Sequence, residues 1–377
     1  MTLPRPGQDT LRPGDCFIGL MSGTSMDGVD GVLLRLSPQQ RPELLASATL
    51  DMPASLRATL MALNASGPDE LHRAALAANA LAALYADVCE RLLAQAGLPR
   101  EAVRAIGAHG QTVRHRPDLG YTCQLNAPAV LAEACGIDVV ADFRSRDVAA
   151  GGQGAPLVPP FHAAMFGQDA ARAILNLGGI GNVTLLQPGQ APRGFDTGPA
   201  NVLLDAWCQA HTGHHYDEDG KWAASGRADP ALLTHLLQAE PWFALPAPKS
   251  TGRDLFGLAW LTGHLASYGR ALAPADVQAT LLDLTAHSVA RAIAGAPLDD
   301  VLVCGGGARN PALMAALARA LPCPVATTDS AGVPAQWMEA MAFAWLAQAC
   351  VSRQPASSPE VTGARGPRIL GALYPGH

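Results

Sequence analysis

The chain has 377 residues, of which 49% are hydrophobic and 15% charged, and it contains 38 glycines and 30 prolines. This length predicts two or three domains, and the composition is typical of a folded protein and excludes a disordered one. A net charge of -6 without any block of Lys or Arg excludes a nucleic-acid binder, which needs a concentrated basic surface.

The first apolar run, Cys16 to Met21, is too short for a secretion signal or a membrane span. We therefore expect a cytoplasmic protein with no membrane partner and no nucleic-acid partner, and we allow for a homodimer. The eight cysteines form no Cys-x-x-Cys pair, and a core of this size needs no covalent staples. Reduced thiols are the prediction.

The first half of the chain predicts an α/β domain that opens with a β-hairpin. The run Cys16 to Met21 predicts a strand, residues 22–28 a polar turn, and residues 29–36 the returning strand. The other elements expected in this half are strands at 43–50, 105–108 and 139–141 and helices at 69–95 and 127–135. The glycine- and proline-rich stretch 142–160 predicts a domain boundary or an active-site loop.

The pattern of strand, glycine turn and strand recurs at residues 173–186, which suggests a second domain of related plan. The turn is residues 178–181. The elements expected after it are helices at 199–212, 275–294, 311–321 and 334–349 and a strand at 301–304. Gly305 to Gly307 end that strand, and Asn310 is predicted to cap the helix that follows.

The tip of the first hairpin, residues 21–30, combines glycines, hydroxyls and two carboxylates. Glycines allow the backbone to approach a phosphate, amides and hydroxyls donate hydrogen bonds, and a carboxylate can hold a metal ion. The spacing matches neither the P-loop nor the dinucleotide fingerprint. The alternative is a tight turn held by its own side-chain hydrogen bonds.

Two further glycine clusters follow strands, at residues 178–182 and 305–310. Each could serve only the close packing of a helix on a strand, which is the commoner use of glycine. Three such clusters at strand ends favour a nucleotide site.

Asp196 lies just before a predicted helix, and Pro199, three residues later, is at a first-turn position of that helix. It could be a helix cap, which is worth about 1 kcal/mol, or a general base. Charged residues of the loop 142–147, including Arg144, could bind an anionic substrate or form solvated ion pairs. His109 is expected to be a hydrogen-bonded histidine at a strand end, and the His and Asp residues of 211–219 lack the spacing of a zinc site.

Taken together, these motifs resemble the anhydro-N-acetylmuramic acid kinases, members of the superfamily of hexokinase, actin and Hsp70. The resemblance extends from about Phe17 to Tyr374. The segments that carry it are Gly19 to Asp30, His109 to Thr112, Ala141 to Leu157, Asn176 to Gly179, Gly194 to Asn201, Lys249 to Arg253, Cys304 to Gly307 and Trp337 to Phe343.

The resemblance implies an α/β protein of two actin-like, ribonuclease H-like domains with ATP bound between them. The first domain would comprise residues 1–140 plus roughly 345–377, and the second residues 141–344. The residues implied in ATP binding are Gly23, Thr24, Ser25, Met26, Asp27, Gly28, Val29 and Asp30 in the first hairpin, Gly178, Gly179 and Asn182 in the second, and Gly305, Gly306 and Gly307 near the adenosine.

The resemblance also implies the reaction, in which 1,6-anhydro-N-acetylmuramic acid, ATP and water give N-acetylmuramic acid 6-phosphate and ADP during recycling of peptidoglycan. Asp196 matches the catalytic aspartate, and Arg144 and Glu339 are expected to contact the sugar. Mg²⁺ is the expected metal, and the sequence does not identify its ligands. The alternatives are a kinase of an ordinary sugar hydroxyl and a non-catalytic actin-like ATPase.

Overall fold

A computed structural model describes residues 15–23, 26–37, 41–167, 169–247, 249–252 and 255–377. Thr24 and Ser25 of the predicted phosphate loop, and Arg253 of the Lys249 motif, lie outside the described residues. The chain forms two compact units. Unit 1 is the segment up to Leu157 together with Glu339–Pro359 and Ala364–His377, and unit 2 comprises Val158–Met338 and Glu360–Gly363.

Most of the strands lie where the hydrophobic pattern predicted them, and the first has the predicted bounds. They are β1 (Cys16–Met21), β2 (Gly28–Arg35), β3 (Glu43–Asp51), β4 (Val103–Ala108), β5 (Gln111–Arg116), β6 (Tyr121–Leu125), β7 (Val139–Ala141), β8 (Arg172–Leu177), β9 (Ile180–Leu186), β10 (Arg193–Pro199), β11 (Asp300–Cys304), β12 (Val325–Thr327) and β13 (Ala372–Tyr374).

The helices include every predicted one and several shorter ones. They are α1 (Ala54–Ala62), α2 (Glu70–Ala96), α3 (Pro128–Cys135), α4 (Ser145–Ala149), α5 (Pro159–Phe166), α6 (Asn201–Thr212), α7 (Lys221–Ser225), α8 (Pro230–Ala239), α9 (Leu258–Tyr268), α10 (Pro274–Ala292), α11 (Pro311–Ala320), α12 (Met338–Val351) and α13 (Pro359–Thr362). None of those in the described part of the chain combines the length and hydrophobicity that a bilayer span requires.

Unit 1 contains a six-stranded sheet in the order β13-β7-β4-β1-β2-β3. Its first three strands in sequence are antiparallel neighbours, and β4 and β7 then add parallel to β1. All six residues of β1 are buried, which is why this strand reads as a continuous apolar run. The long helix α2 buries Leu81, Tyr85 and Leu92 in the same core, and ends at Gly97 in the left-handed conformation.

Unit 2 repeats that plan in a five-stranded sheet of order β10-β9-β8-β11-β12. Again three antiparallel strands come first, and two more follow in parallel. The core packs this sheet against α6, α10 and α11, and Asn310 caps α11 through the Leu313 amide at 3.0 Å, as predicted. The same strand order in two units is that of a pair of actin-like domains, so the expected fold class is confirmed.

The two units divide at other residues than the sequence predicted. The boundary was expected at 140/141 and again at 344/345, whereas residues 141–157 and 339–344 belong to unit 1. The reason is packing that the glycine-rich sequence does not reveal: Arg144 bonds back to His109 at the end of β4, and Phe343 of α12 packs on the same histidine ring.

Candidate active site

The turn of the first hairpin offers backbone groups more than side chains. Met26 and Val29, which were predicted to bind ATP, have buried side chains in the core of unit 1, so only their peptide groups can reach a ligand. The Met26 amide donates to the Gly23 carbonyl at 3.2 Å, and Met26 has a positive φ of 53°. This tight backbone suits the predicted contact of main-chain amides with phosphate.

Asp30 and Gly28 lie on β2, directly after the turn. The Thr49 hydroxyl donates to Asp30 Oδ1 at 2.7 Å, while burial, and to a smaller degree Asp27, raises the pKa of the Asp30 carboxyl. A Cβ on Gly28 would lie 2.6 Å from the Leu50 carbonyl oxygen, so this glycine is required for pairing with β3. Asp27 and Asp30 are the carboxylates that this turn offers to a cation.

Arg144 occupies the position just before α4 and is fixed by two acceptors. Its Nε donates to His109 Nε2 at 3.1 Å, and its Nη1 donates to the Gly154 carbonyl at 2.8 Å. The Gly154 amide in turn donates to the buried Asp147 carboxylate at 2.8 Å. Among the residues that the structure describes, three of the five guanidinium N–H groups have no hydrogen-bond acceptor. The charged loop is therefore an ordered arrangement around Arg144, and His109 is the hydrogen-bonded histidine expected at the end of β4.

Glu339, the other predicted sugar contact, is in the first turn of α12 in the same unit. Burial raises the pKa of the Glu339 carboxyl; the Arg144 guanidinium lowers it, and Asp30 raises it further. Glu339 is thus within electrostatic reach of both Arg144 and Asp30. These three residues come from distant parts of the sequence.

In unit 2, a row of polar side chains crosses three neighbouring strands. Asn182 on β9 lies opposite Asn176 on β8 and opposite Asp196 on β10. Residues directly opposite each other in an antiparallel pair point to the same face of the sheet. The predicted base and the predicted nucleotide residue Asn182 are therefore side by side.

Asp196 is a strand residue, so the alternative of a helix cap is excluded. The chain continues as β10 to Pro199, and α6 begins at Asn201. The register of β10 against β9 shifts between Asp196 and Gly198, and such bulges redirect side chains. Capping is performed instead by the glycine turn: the Gly178 carbonyl accepts from the Asn201 amide, and the Gly179 carbonyl accepts from the amides of Ala200 and Val202, all at 3.0 Å.

The segment 249–251 holds Asp196 on both its backbone and its side chain. The Asp196 amide donates to the Lys249 carbonyl at 2.9 Å, and the Thr251 amide donates to Asp196 Oδ2 at 2.9 Å. Burial nevertheless raises the pKa of Asp196 to about 7, against the opposing effects of the Thr251 hydrogen bond and the Lys249 charge. A carboxylate with this pKa is poised to exchange a proton at neutral pH.

The glycines 305–307 after β11 differ from one another in what surrounds them. A Cβ on Gly305 would overlap Asn176 Oδ1, and one on Gly307 would lie 2.5 Å from the Leu177 Cβ, so both glycines permit close packing on β8. Gly306 has no such neighbour among the described residues, the nearest atom being Asn201 Nδ2 at 3.7 Å. Of the three predicted nucleotide glycines, Gly306 has the open environment that a ligand needs.

Comparison with known proteins identifies the family. The sequence model for anhydro-N-acetylmuramic acid kinase matches residues 15–376. The anhydro-N-acetylmuramic acid kinase of Bordetella avium is 76% identical over 376 residues, covering 100% of both chains. The chain belongs to the anhydro-N-acetylmuramic acid kinase family. Proteins of the same name in Bordetella petrii, 70% identical over 98% of both chains, and in Burkholderia lata, 55% identical over 99% of this chain and 100% of that one, agree.

The solved structures that match this chain are much more distant in sequence. The activator of 2-hydroxyisocaproyl-CoA dehydratase from Clostridium difficile is 15% identical, with a TM-score of 0.45, over 90% of this chain and 97% of that one. A ROK family glucokinase from Streptomyces griseus is 14% identical, with a TM-score of 0.40, over 88% and 98%. The fold assignment rests on the strand order of the two sheets.

Two features of the site escaped sequence reasoning. The Thr251 amide and the Lys249 carbonyl hold Asp196 through main-chain atoms. Such contacts cannot be predicted from residue types. The motif that contains them, Lys249 to Arg253, was noticed in the sequence but received no role. His109 was expected to make a hydrogen bond, yet its partner Arg144 is 35 residues away along the chain.

Proposed function

We propose that this anhydro-N-acetylmuramic acid kinase uses Asp196 as the general base that activates water for opening of the 1,6-anhydro ring. The family reaction converts 1,6-anhydro-N-acetylmuramic acid, ATP and water into N-acetylmuramic acid 6-phosphate and ADP, and so returns cell-wall sugar to metabolism. The observation that carries the assignment is Asp196 itself, a carboxylate at a strand bulge whose pKa of about 7 suits a base at neutral pH.

The substrate dictates the need for a base. Its O6 is bound to C1 in the anhydro bridge, so no free 6-hydroxyl exists for ordinary phosphoryl transfer. Water attacks C1 on the face opposite O6, Asp196 accepts the proton, and the C1–O6 bond breaks. O6 then bonds to the γ-phosphorus as the bond to the ADP oxygen breaks. The phosphoryl group thereby replaces the general acid of an inverting glycosidase.

The rival function is phosphorylation of an ordinary sugar hydroxyl on the same fold. A coupled assay for ADP release with 1,6-anhydro-N-acetylmuramic acid, compared with free N-acetylmuramic acid, separates the two. We expect turnover with the anhydro sugar alone. Equal turnover with the free sugar would favour the rival.

In unit 1, the residues that we propose for nucleotide binding are those of the turn 23–30. In unit 2, the residues that we propose are Gly178, Gly179, Asn182 and Gly305 to Gly307. The carboxylates of Asp27 and Asp30 are the oxygen donors that Mg²⁺ prefers, and the described residues contain no group of three or more side chains that could hold a metal ion. Mg²⁺ is usually held by one or two carboxylates together with substrate phosphates and water, so the carboxylates of Asp27 and Asp30 could hold it. When bound, Mg²⁺ neutralises charge on the phosphates.

Sugar binding is assigned to Arg144 and Glu339 in unit 1, as expected from the sequence. The free N–H groups of Arg144 are suited to the anionic oxygens of the substrate, and Glu339 can accept from sugar hydroxyls. We also propose that the enzyme acts in the cytoplasm, where ATP is available, without a nucleic-acid or membrane partner. A homodimer is compatible with this proposal.

The pH dependence of the reaction tests the base. Because Asp196 must be ionised to accept a proton, kcat/KM for the sugar is expected to fall below about pH 7 and to level off above it. The Lys249 charge lowers the pKa of Asp196. Lys249→Met should therefore shift the pH at which kcat/KM falls to a higher value. The measurement is a pH profile of kcat/KM at saturating ATP, and an inflection near pH 4 in the wild type would contradict a base with a raised pKa.

The phosphate loop is tested by Gly23→Val. A branched side chain at Gly23 would occupy the space of a phosphate, so ATP affinity measured by calorimetry is expected to drop at least about tenfold, equivalent to about 1.4 kcal/mol. Gly67→Val is the matched control, because a Cβ there approaches only the end of the Arg73 side chain, at 3.3 Å. Unchanged ATP affinity in a folded Gly23→Val protein would refute the assignment.

A further inference from the structure

His109 connects both residues that we assign to the sugar. Its Nε2 accepts the 3.1 Å hydrogen bond from Arg144 Nε, and its ring packs on Phe343, with the ring centroids 4.6 Å apart. Phe343 is four residues after Glu339 on α12, so the two side chains lie on the same face of the helix. One imidazole therefore contacts Arg144 directly and the helix that carries Glu339.

The position of His109 is itself firmly fixed. Only 4% of the residue is exposed, and its backbone amide donates to the Leu20 carbonyl at 3.1 Å. The next amide, that of Gly110, donates to the hydroxyl of the fully buried Tyr85 at 3.1 Å. His109 is thus attached to the fully buried strand β1 and to α2.

The imidazole must be neutral to act as an acceptor. Burial, together with the Arg144 charge, holds the pKa of His109 well below its usual range. A proton on Nε2 would point at the Arg144 guanidinium and break the hydrogen bond. These constraints exclude acid–base work near neutral pH and leave His109 as a fixed acceptor.

We propose that His109 is a positioning residue for sugar binding, which orients Arg144 through its Nε2 and supports α12 at Glu339 through its ring. With Nε bonded to His109 and Nη1 to Gly154, the guanidinium plane has one orientation, and its remaining N–H groups face a fixed direction. This inference rests on the proposed function of Arg144 and Glu339.

Two substitutions separate the two contacts of His109. His109→Phe keeps a ring against Phe343 but removes the acceptor, whereas His109→Gln keeps an acceptor oxygen but removes the ring. The hydrogen bond that is lost lies within the protein, so its usual contribution sets the upper limit of the effect, an increase in KM for the sugar of up to about 10- to 100-fold. We expect this increase in His109→Phe and a smaller one in His109→Gln. KM for ATP and the limb of the pH profile near 7 should not change in either variant.

A double-mutant cycle with Arg144→Met distinguishes failure of this inference from failure of the proposed function. If His109 acts through Arg144, His109→Phe adds little to the KM of Arg144→Met. A wild-type KM for the sugar in Arg144→Met would refute the proposed role of Arg144. A raised KM in Arg144→Met with a wild-type KM in His109→Phe would refute only the inference. Thermal unfolding of each variant controls for folding, and equal increases of KM for sugar and ATP would indicate general damage and overturn the positioning role.

Discussion

Asp196→Asn is expected to lower turnover by about 10²- to 10⁴-fold, the usual contribution of a general base. Asparagine keeps the shape of the side chain and an oxygen that can accept from the Thr251 amide, but it cannot take a proton from water. Both substrates should still bind, because a neutral amide repels neither phosphate nor sugar. The measurements are kcat by a coupled ADP assay and ATP affinity by calorimetry, and near-normal turnover would rule out the catalytic role.

We expect the same variant to change the pH dependence of the free energy of unfolding. In the folded protein the pKa of Asp196 is raised from 3.8 to about 7, so the folded state binds this proton more tightly than the unfolded state does. The free energy of unfolding therefore falls as pH rises from about 4 to about 7. Asp196→Asn abolishes this titration. The difference in unfolding temperature between variant and wild type should therefore be more favourable to the variant at pH 8 than at pH 4. A stable but inactive variant at pH 8 would show that activity is lost for chemical reasons and not through misfolding.

The fold could be predicted well because the two sheets are buried. Strands such as β1 and β8 carry nearly unbroken apolar runs, and the glycine turns after them mark where each hairpin reverses. The hairpin of β5 and β6 was missed because residues such as Arg114 and His115 give no apolar alternation. β10 was missed for a related reason: Gly194, Gly198 and Pro199 are typical of a turn, and their pairing with β9 decides otherwise.

The site could be predicted only in part, because its geometry comes from main-chain atoms and from distant residues. The type of residue at Asp196 suggested a base or a cap, and only its place in β10 distinguishes the two. Met26 and Val29 were predicted to bind ATP, yet their side chains face the core. A glycine motif such as 305–307 does not show which member serves packing and which faces open space, since that depends on Asn176 and Leu177 in another strand.

Gly305→Ala is expected to destabilise unit 2 strongly. Gly305 has φ 80° and ψ -179°, a conformation that is essentially restricted to glycine and costs other residues about 1–3 kcal/mol. The added Cβ would also overlap Asn176 Oδ1 and lie 3.0 Å from the Leu177 carbonyl oxygen. Asn176 belongs to the polar row with Asn182 and Asp196. A displacement of Asn176 should therefore reduce turnover, in addition to lowering the midpoint of unfolding in urea.

Gly306→Ala is the matched control for that prediction, because the nearest atom to its Cβ, Asn201 Nδ2 at 3.7 Å, is at an ordinary contact distance. Its urea midpoint should stay close to that of the wild type, while KM for ATP rises if Gly306 faces the nucleotide. The pair therefore separates the two uses of glycine: stability is lost at Gly305 and nucleotide affinity at Gly306. A Gly305→Ala protein as stable as the wild type would contradict the packing role, and an unchanged KM for ATP in Gly306→Ala would remove this residue from the nucleotide site.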